Sequence, residues 1–340
     1  MKNKYSDILS SINNTPRNAQ DSILIIDGLN TFLRSFTMIN HINPDGAHIG
    51  GLTGFLKSLG YAIRTIDPTK VVIVFDGIGG SNNKRNLYPD YKANRNKSRM
   101  TNYNIFSNKE EEAESINNQM GRLIQYLQCL PISIICIDGI EADDVMGYLA
   151  VKFEKFPVTK QVTLMSSDKD FLQLLSPKTQ VYSPTKKKIY QPKDILEEFG
   201  VSHYNFINYK MLMGDASDNL PGILGLGPKK LIKLFPNLLE DRKIELNEIL
   251  SYSAEKVNEH ELYASVIERS HQLNINRQLM DLQTIPLSEG NQDEIKASFN
   301  NSYSLNKHVF MQMYLADKLG ESIPNTTNWI NQIFGGLDSF

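Results

Sequence analysis

Cysteine is nearly absent, tryptophan occurs once, and no hydrophobic run approaches the length of a membrane span. The two cysteines, Cys129 and Cys136, stand in no Cys-x-x-Cys or Cys/His pattern, which excludes a disulfide framework, a zinc knot and a dithiol redox pair. They read as two buried thiols in a reducing cytosol. The opening residues, MKNKYSDILSSINN, hold no apolar stretch of signal-peptide length, so a cytoplasmic location in a bacterium or an infected host cell is expected, with no membrane partner. No GxxxxGK[ST] loop occurs, and an ATP-driven activity is unsupported. Net charge is also nearly absent: 36 Lys and Arg stand against 38 Asp and Glu. The whole-chain balance therefore predicts no polyanionic partner, and any such preference must lie in the local distribution of charge.

What is present is a core-forming chain of 340 residues, 41% hydrophobic, large enough to fold without covalent staples. Residues 1–20 are polar and rich in Asn and Ser, and read as an extension. Four short apolar runs then read as buried strands: Ser22–Asp27, Val71–Asp76, Pro131–Asp138 and Gln161–Asp168. Between the first two, Leu52, Phe55, Leu56, Leu59, Ile63 and Ile66 recur at helical spacing. Strand and helix in alternation predict an α/β domain over residues 21–190, a parallel sheet with helices on both faces. From Pro192 helical patterns dominate, which predicts a helical region over 191–325. A tail, 326–340, carries Trp329, Ile330, Ile333 and Phe334 on one side of a short amphipathic run.

Functional groups of parallel α/β sheets gather beyond the carboxyl ends of the strands. Asp27 and Asp76 close the first two strands; Glu141, Asp143 and Asp144 follow the third, and Asp168 and Asp170 the fourth. Asp215 and Asp218 come after a predicted helix. Any one of these reads as a cap or turn residue. Repeated at successive strand ends, they predict one crowded edge, whose mutual repulsion only hard divalent cations would relieve. All-oxygen ligation suits Mg²⁺ or Mn²⁺, and a pair of such ions about 4 Å apart is the apparatus of phosphodiester hydrolysis.

The segment Lys84–Arg99 carries six cations against Asp90, a local charge of +5, with Tyr88 and Tyr91 interleaved. It reads either as a solvated loop or as a phosphate-binding patch that offers a ring to a base.

Taken together, IIDGLNTFLR, VVIVFDG, YPDYKANR, GIEADD, SSDKDFLQLL and MGDASDNLPGILGLGPKK, in this order over residues 22–235, resemble the 5′-nucleases: flap endonucleases, phage RNase H enzymes and the nuclease domain of DNA polymerase I. As a chain with no polymerase attached, it is most similar to the replication nuclease type of T4-like phages. The resemblance implies that the nine carboxylates form a two-ion Mg²⁺ site, and that residues 79–105 form a basic arch over a single-stranded 5′ end. It further implies that Tyr91, Lys92 and Arg95 are catalytic, with Lys92 and Arg95 on one helical face toward the scissile phosphate. Asn30, Arg34, Lys84 and Arg85 are expected near the DNA, the first two alternatively as helix-surface residues. Gly222, Gly225 and Gly227, with Lys229 and Lys230 at a helix start, are expected to bring amides to duplex phosphates in a helix-three-turn-helix element, a K⁺ ion sometimes helping.

The implied partners are DNA and RNA–DNA hybrids with 5′ ends, flaps or nicks, together with a sliding clamp and a single-strand-binding protein. Leu337 and Phe340 are candidate clamp contacts; the alternative is a terminal helix packed on its own domain. Two further enzymatic readings are weaker. A phosphatase-like nucleophile at Asp27 would need a second Asp where Leu29 stands, and a toxin-type ribonuclease is disfavoured by the chain's length and basic arch. A non-catalytic binder of branched nucleic acid would be signalled by missing acids, and none is missing.

Overall fold

The structure is a computed structural model that describes residues 21–96 and 100–337, Arg95 and Asn96 by backbone alone. The extension expected over 1–20, and Phe340, lie outside the described residues. Six strands form the main sheet: β1 (Asp21–Asp27), β2 (Lys70–Asp76), β3 (Ser133–Ile137), β4 (Thr159–Met165), β5 (Thr179–Ser183) and β6 (Lys188–Tyr190). Their order is β3-β2-β1-β4-β5-β6, with every pairing parallel except the antiparallel β5–β6. The chain leaves β1 toward β2 and β3, then returns to the other side of β1 as β4. The switch in strand order therefore falls between β1 and β4, where α/β sheets open a crevice.

Side-chain alternation divides the core into two layers. Ile23, Ile25, Val72, Val74, Ile135 and Ile137 face one layer, while Leu24, Ile26, Val71, Ile73 and Phe75 face the other. Burial on both faces explains why these strands read as unbroken apolar runs, and each fully buried aliphatic contributes roughly 1.5–3 kcal/mol. The second layer is closed by α1 (Gly28–Met38), α2 (Gly50–Ile66) and α4 (Lys109–Leu127), which follows the short α3 (Asn82–Leu87). The first layer is closed by α5 (Ala142–Glu154), α6 (Pro192–Phe199), α7 (Phe206–Met213) and α8 (Pro228–Leu234). It continues without a break through α9 (Leu246–Glu255), α10 (Glu261–Glu268) and α11 (Ser270–Met280) to Ile295 of α12 (Glu289–Asn300). The sheet thus ends at Tyr190, near the expected boundary, but one apolar cluster spans both regions.

The C-terminal helices α13 (Lys307–Ala316) and α14 (Thr326–Phe334) return to the second layer. Trp329, Ile330, Ile333 and Phe334 are buried there, and Leu337 packs against the same cluster. Gly60 of α2 permits this approach, since a Cβ at that position would lie 2.7 Å from the Trp329 ring. This is the packed-helix alternative for the tail. No helix among the described residues is long and apolar enough to cross a membrane.

Candidate metal and nucleic-acid site

Asp27 ends β1 and caps α1: one oxygen accepts from the Asn30 N–H at 3.0 Å, the other from Ser166 Oγ at 2.9 Å. Ser166 follows β4, so a hydroxyl bridges the switch point. Desolvation, then the charge of Asp143 and more weakly that of Asp76, pushes the Asp27 carboxyl up to about 7. Asp76 closes β2 and accepts from the Ala142 N–H at 2.8 Å, which ties it to the start of α5. Its side chain reaches solvent, yet desolvation raises its carboxyl, and Asp143 and Glu141 add to the rise.

Glu141, the residue before α5, behaves in the opposite way. Lys92 Nζ lies 2.6 Å from Oε1, Lys84 Nζ lies 2.8 Å from Oε2, and the Tyr91 hydroxyl donates to Oε2 at 3.0 Å. Against the desolvation of a buried group, the two ammoniums hold its carboxyl down to about 2. Lys84 also meets Asp144 at 2.9 Å. Asp168 caps the 3₁₀ turn Lys169–Leu174 and accepts from the Asp170 N–H at 2.9 Å. Both carboxyls are raised, first by desolvation; Asp143 then adds most to the rise in Asp168, and Asp168 to that in Asp170.

Lys210, on α7, stands 2.6 Å from both Asp170 and Asp215 and so joins the β4 end to the loop between β7 (Gly214–Asp215) and β8 (Leu220–Pro221). The reading of the sequence missed this residue. A lysine five positions before Asp215 on a helix leading into the acidic loop was the available signal.

Asp27, Asn30, Asp76, Glu141, Asp143 and Asp168 line a cavity of about 520 Å³, joined by Arg85 and Lys92. Asp144 lies behind Glu141 on the Lys84 pair, while Asp170 and Asp215 lie along the edge around Lys210. The loop that carries Asp218 is reached through its backbone, Lys92 N–H donating to the Asp218 carbonyl at 3.0 Å. No three of these acids close around one point among the described residues. The edge is thus an excess of oxygen donors rather than a ready cage. That suits Mg²⁺, which keeps most of its waters and takes one or two carboxylates per site.

Four expectations about the basic segment change. Lys92 has a φ of +56° and precedes a 3₁₀ turn, Ala93–Asn96, so Lys92 and Arg95 do not share a helical face. The left-handed residue interrupts the helix, and the Arg95 side chain lies outside the described residues. The Tyr91 ring is 2% exposed and packs with Ile207, Leu220, Leu279 and Met280, so it offers no face to a base. Desolvation, reinforced by Glu141, raises its hydroxyl, which stays protonated and donates to that carboxylate. Lys84 is turned inward onto Glu141 and Asp144, because two buried carboxylates outbid solvent for its ammonium. Finally, residues 90–94 do not stand free as an arch. Asn219 Nδ2 donates to the Asp90 carbonyl at 2.9 Å, and Asn94 Nδ2 donates to Asn219 Oδ1 at 3.1 Å.

Arg34 is half-buried on α1, its Nη2 3.4 Å from Ser58 Oγ, and desolvation lowers the affinity of its guanidinium for a proton. In the turn between β8 and α8, only Gly225 has a left-handed φ, +80°. Gly222 is instead required by packing, since a Cβ there would meet the Met213 carbonyl oxygen at 2.2 Å. Gly227 is open to space and precedes α8, and Lys229 and Lys230 sit in the first turn of that helix, Lys230 donating back to the Gly225 carbonyl at 3.1 Å. Leu224, at the tip, is 84% exposed.

A mostly parallel sheet with its acids massed at the strand-order switch defines a resolvase-like, PIN-type α/β fold. The family model of the 5′-3′ exonuclease N-terminal, resolvase-like domain matches residues 22–200. A 5′-3′ exonuclease of Bacillus subtilis (strain 168) is 34% identical over 223 residues, 63% of this chain and 69% of that protein. A DNA polymerase I of Rhizobium leguminosarum is 30% identical over 223 residues, 63% of this chain but 20% of the polymerase. Among solved structures, the bacteriophage T5 D15 flap endonuclease (D155K), described as a pseudo-enzyme-product complex with DNA and metal ions, superposes with a TM-score of 0.61. It is 19% identical, over 87% of this chain and 97% of that one, a likeness of fold. The chain belongs to the 5′-3′ exonuclease family. None of these three relatives narrows it to the T4-like phage type.

Proposed function

We propose that the protein is a structure-selective 5′-nuclease, a 5′-3′ exonuclease and flap endonuclease that hydrolyses phosphodiesters with two divalent cations during removal of primers and flaps in DNA replication. The observation that carries this reading is the gathering of Asp27, Asp76, Glu141, Asp143 and Asp168 around one cavity at the strand-order switch, with Asp144, Asp170, Asp215 and Asp218 close by on the same edge. Asp27, raised to about 7 with no ammonium partner among the described residues, marks where the charge is poorly compensated. All the donors are oxygens, which fits Mg²⁺ or Mn²⁺. Asp27, Asp76, Glu141, Asp143 and Asp144 would lie toward one ion and Asp168, Asp170, Asp215 and Asp218 toward the second, one or two of each set touching the metal and the others acting through its waters. Bound there, the ions supply Lewis acidity and offset the charge that builds on the phosphate.

The protein's own groups supply the rest. Lys92 lines the acidic cavity with an ammonium 2.6 Å from Glu141, placed to exchange that carboxylate for a phosphate oxygen. Arg85, exposed on the same cavity wall, attracts the incoming strand. The turn at residues 222–227 and the following Lys229 and Lys230 grip duplex backbone without reading sequence, with K⁺ as an optional aid, so binding weakens steeply as salt rises. Arg34 and Asn30 flank the path of the strand. A single-strand-binding protein and a sliding clamp are the partners such work calls for.

The test is cleavage of three 5′-labelled substrates, a flap, a nicked duplex and an RNA–DNA hybrid, with Mg²⁺, with EDTA, and by an Asp168→Asn variant. Metal-dependent cutting at the junction or from the 5′ end, lost in the variant, is the expected result. Tight binding of all three without cutting would overturn it in favour of a non-catalytic binder of branched nucleic acid.

A further inference from the structure

On the other face of α3 lies a second cavity, of about 440 Å³, that the proposed chemistry does not use. Asn82 and Arg85 line the acidic cavity, whereas Asn83, Lys84 and Leu87 line this one, and Gly80 lines both. The partition is thin: a Cβ on Gly80 would meet the Ile140 carbonyl oxygen at 2.8 Å, and the rest of the wall is the ion pairing of Lys84 with Glu141 and Asp144. Whatever occupies the second cavity therefore sits one side-chain layer from the acidic edge.

The lining is of two kinds. Leu87, Ile140, Leu279 and Pro286 give it apolar walls, while Asn274 and Arg277, on one face of α11, add polar groups and Asp144 and Asp281 add carboxylates. Arg277 spends Nη2 on Glu245 at 2.6 Å, yet its Nη1 is buried and has no hydrogen-bond partner among the described residues. Nη1 itself is closed off from the cavity, so Arg277 meets it with the 13% of its side chain that stays exposed. Apolar walls with amides, a guanidinium and carboxylates around them, in a volume within the range of small-ligand sites, match an unpaired base: its face against the walls, its edge on the polar groups.

We propose that this cavity takes one unpaired nucleotide from the single-stranded 5′ part of the substrate. The proposal rests on the nuclease reading above. A nucleotide seated there holds the strand against slipping while the neighbouring phosphate lies at the acidic edge.

The test is binding without divalent cations, so that no turnover intervenes. The probes are a duplex with a five-nucleotide 5′ overhang, the same duplex made abasic at each overhang position in turn, and a blunt duplex. Loss of the base at one position should weaken binding about tenfold, the order expected for removing one base's contact with apolar walls. Asn274→Trp, at an exposed position on the rim, should fill the cavity, erase that position effect and leave blunt-duplex affinity unchanged. Arg277→Gln should diminish the effect, which keeps the test decisive if the tryptophan variant fails to fold. Equal affinities at every abasic position, or a position effect that survives Asn274→Trp, would overturn the proposal. Displacement by free deoxyadenosine monophosphate, with no position effect, would assign the cavity to released product and overturn the strand reading. Metal-dependent cutting of the same overhangs is scored separately: cutting without a position effect removes the pocket alone, and a position effect without cutting removes the nuclease reading alone.

Discussion

Asp317, at the end of α13, meets Arg122 through both carboxylate oxygens, at 2.7 and 2.9 Å, and takes a third hydrogen bond from Tyr126 at 2.7 Å. Asp27, more deeply buried than Asp317, is met by one backbone N–H and one serine hydroxyl, with four other acids around the same cavity. The first arrangement fastens α13 to α4, and its charges match one to one. The second leaves negative charge in excess at the strand-order switch. A protein that needed only stability would not keep the second arrangement, since uncompensated buried charge opposes folding. The contrast thus separates a structural carboxylate from one kept for a ligand.

Exchanging each kind for its amide breaks the comparison most sharply. Asp27→Asn should lower Mg²⁺-dependent cleavage by orders of magnitude while the metal-free thermal midpoint holds or rises, because a repelled charge is removed. Asp317→Asn should do the reverse, leaving the cleavage rate near wild type and costing about 1–3 kcal/mol of stability for a half-screened, bidentate pair. Loss of stability in the first variant, or of rate in the second, would erase the distinction. Next in size is Lys92→Ala, which should slow cleavage by roughly 10²-fold or more if its ammonium meets the phosphate. An unchanged rate constant would confine Lys92 to balancing Glu141.

The same contrast sets a pH dependence. Folded, Asp27 titrates near 7; unfolded, it titrates near about 3.9. Between those values the folded chain holds a proton that the unfolded chain has released, so metal-free stability falls as pH rises from about 4 to about 7. Asp170 is raised as well and adds to this fall. Glu141 and Asp215, each lowered to about 2, contribute stability that is lost as pH falls from about 4 to about 2. Denaturation of the metal-free protein should therefore show greatest stability near pH 4 to 5 and a loss of about 2–4 kcal/mol by pH 8. Mg²⁺ should restore most of that loss at pH 8 and little at pH 5. A flat profile without metal would mean that the crowding is relieved by other means.

Much of this was legible in the sequence for a simple reason. Buried parallel strands are continuous apolar runs, and a strand-end Asp is fixed by the strand before it. The four strands carrying Asp27, Asp76, Glu141 and Asp168 were found within a few residues of their observed ends. The pair β5 and β6 was not, because Thr179–Ser183 and Lys188–Tyr190 are short and half polar. Long-range pairing was hidden for a different reason. Lys84, Tyr91 and Lys92 lie within a run of solvated appearance, and only the approach of Glu141, some 50 residues on, makes their burial favourable. Lys210 was missed likewise, since its partners Asp170 and Asp215 converge on it only through the fold.

The smallest effect concerns the end of the chain. Trp329, Ile330, Ile333 and Phe334 belong to the core, so removing α14 would test folding rather than partnership. Leu337 is only partly buried, and a chain ending at Gly336 should lose less than about 1 kcal/mol. Cleavage by that truncated chain, measured with and without a sliding clamp, isolates the last four residues from the fold. Loss of stimulation at unchanged basal rate would assign Leu337 and Phe340 to a clamp contact; equal stimulation would leave Leu337 as the outermost residue of the second core layer.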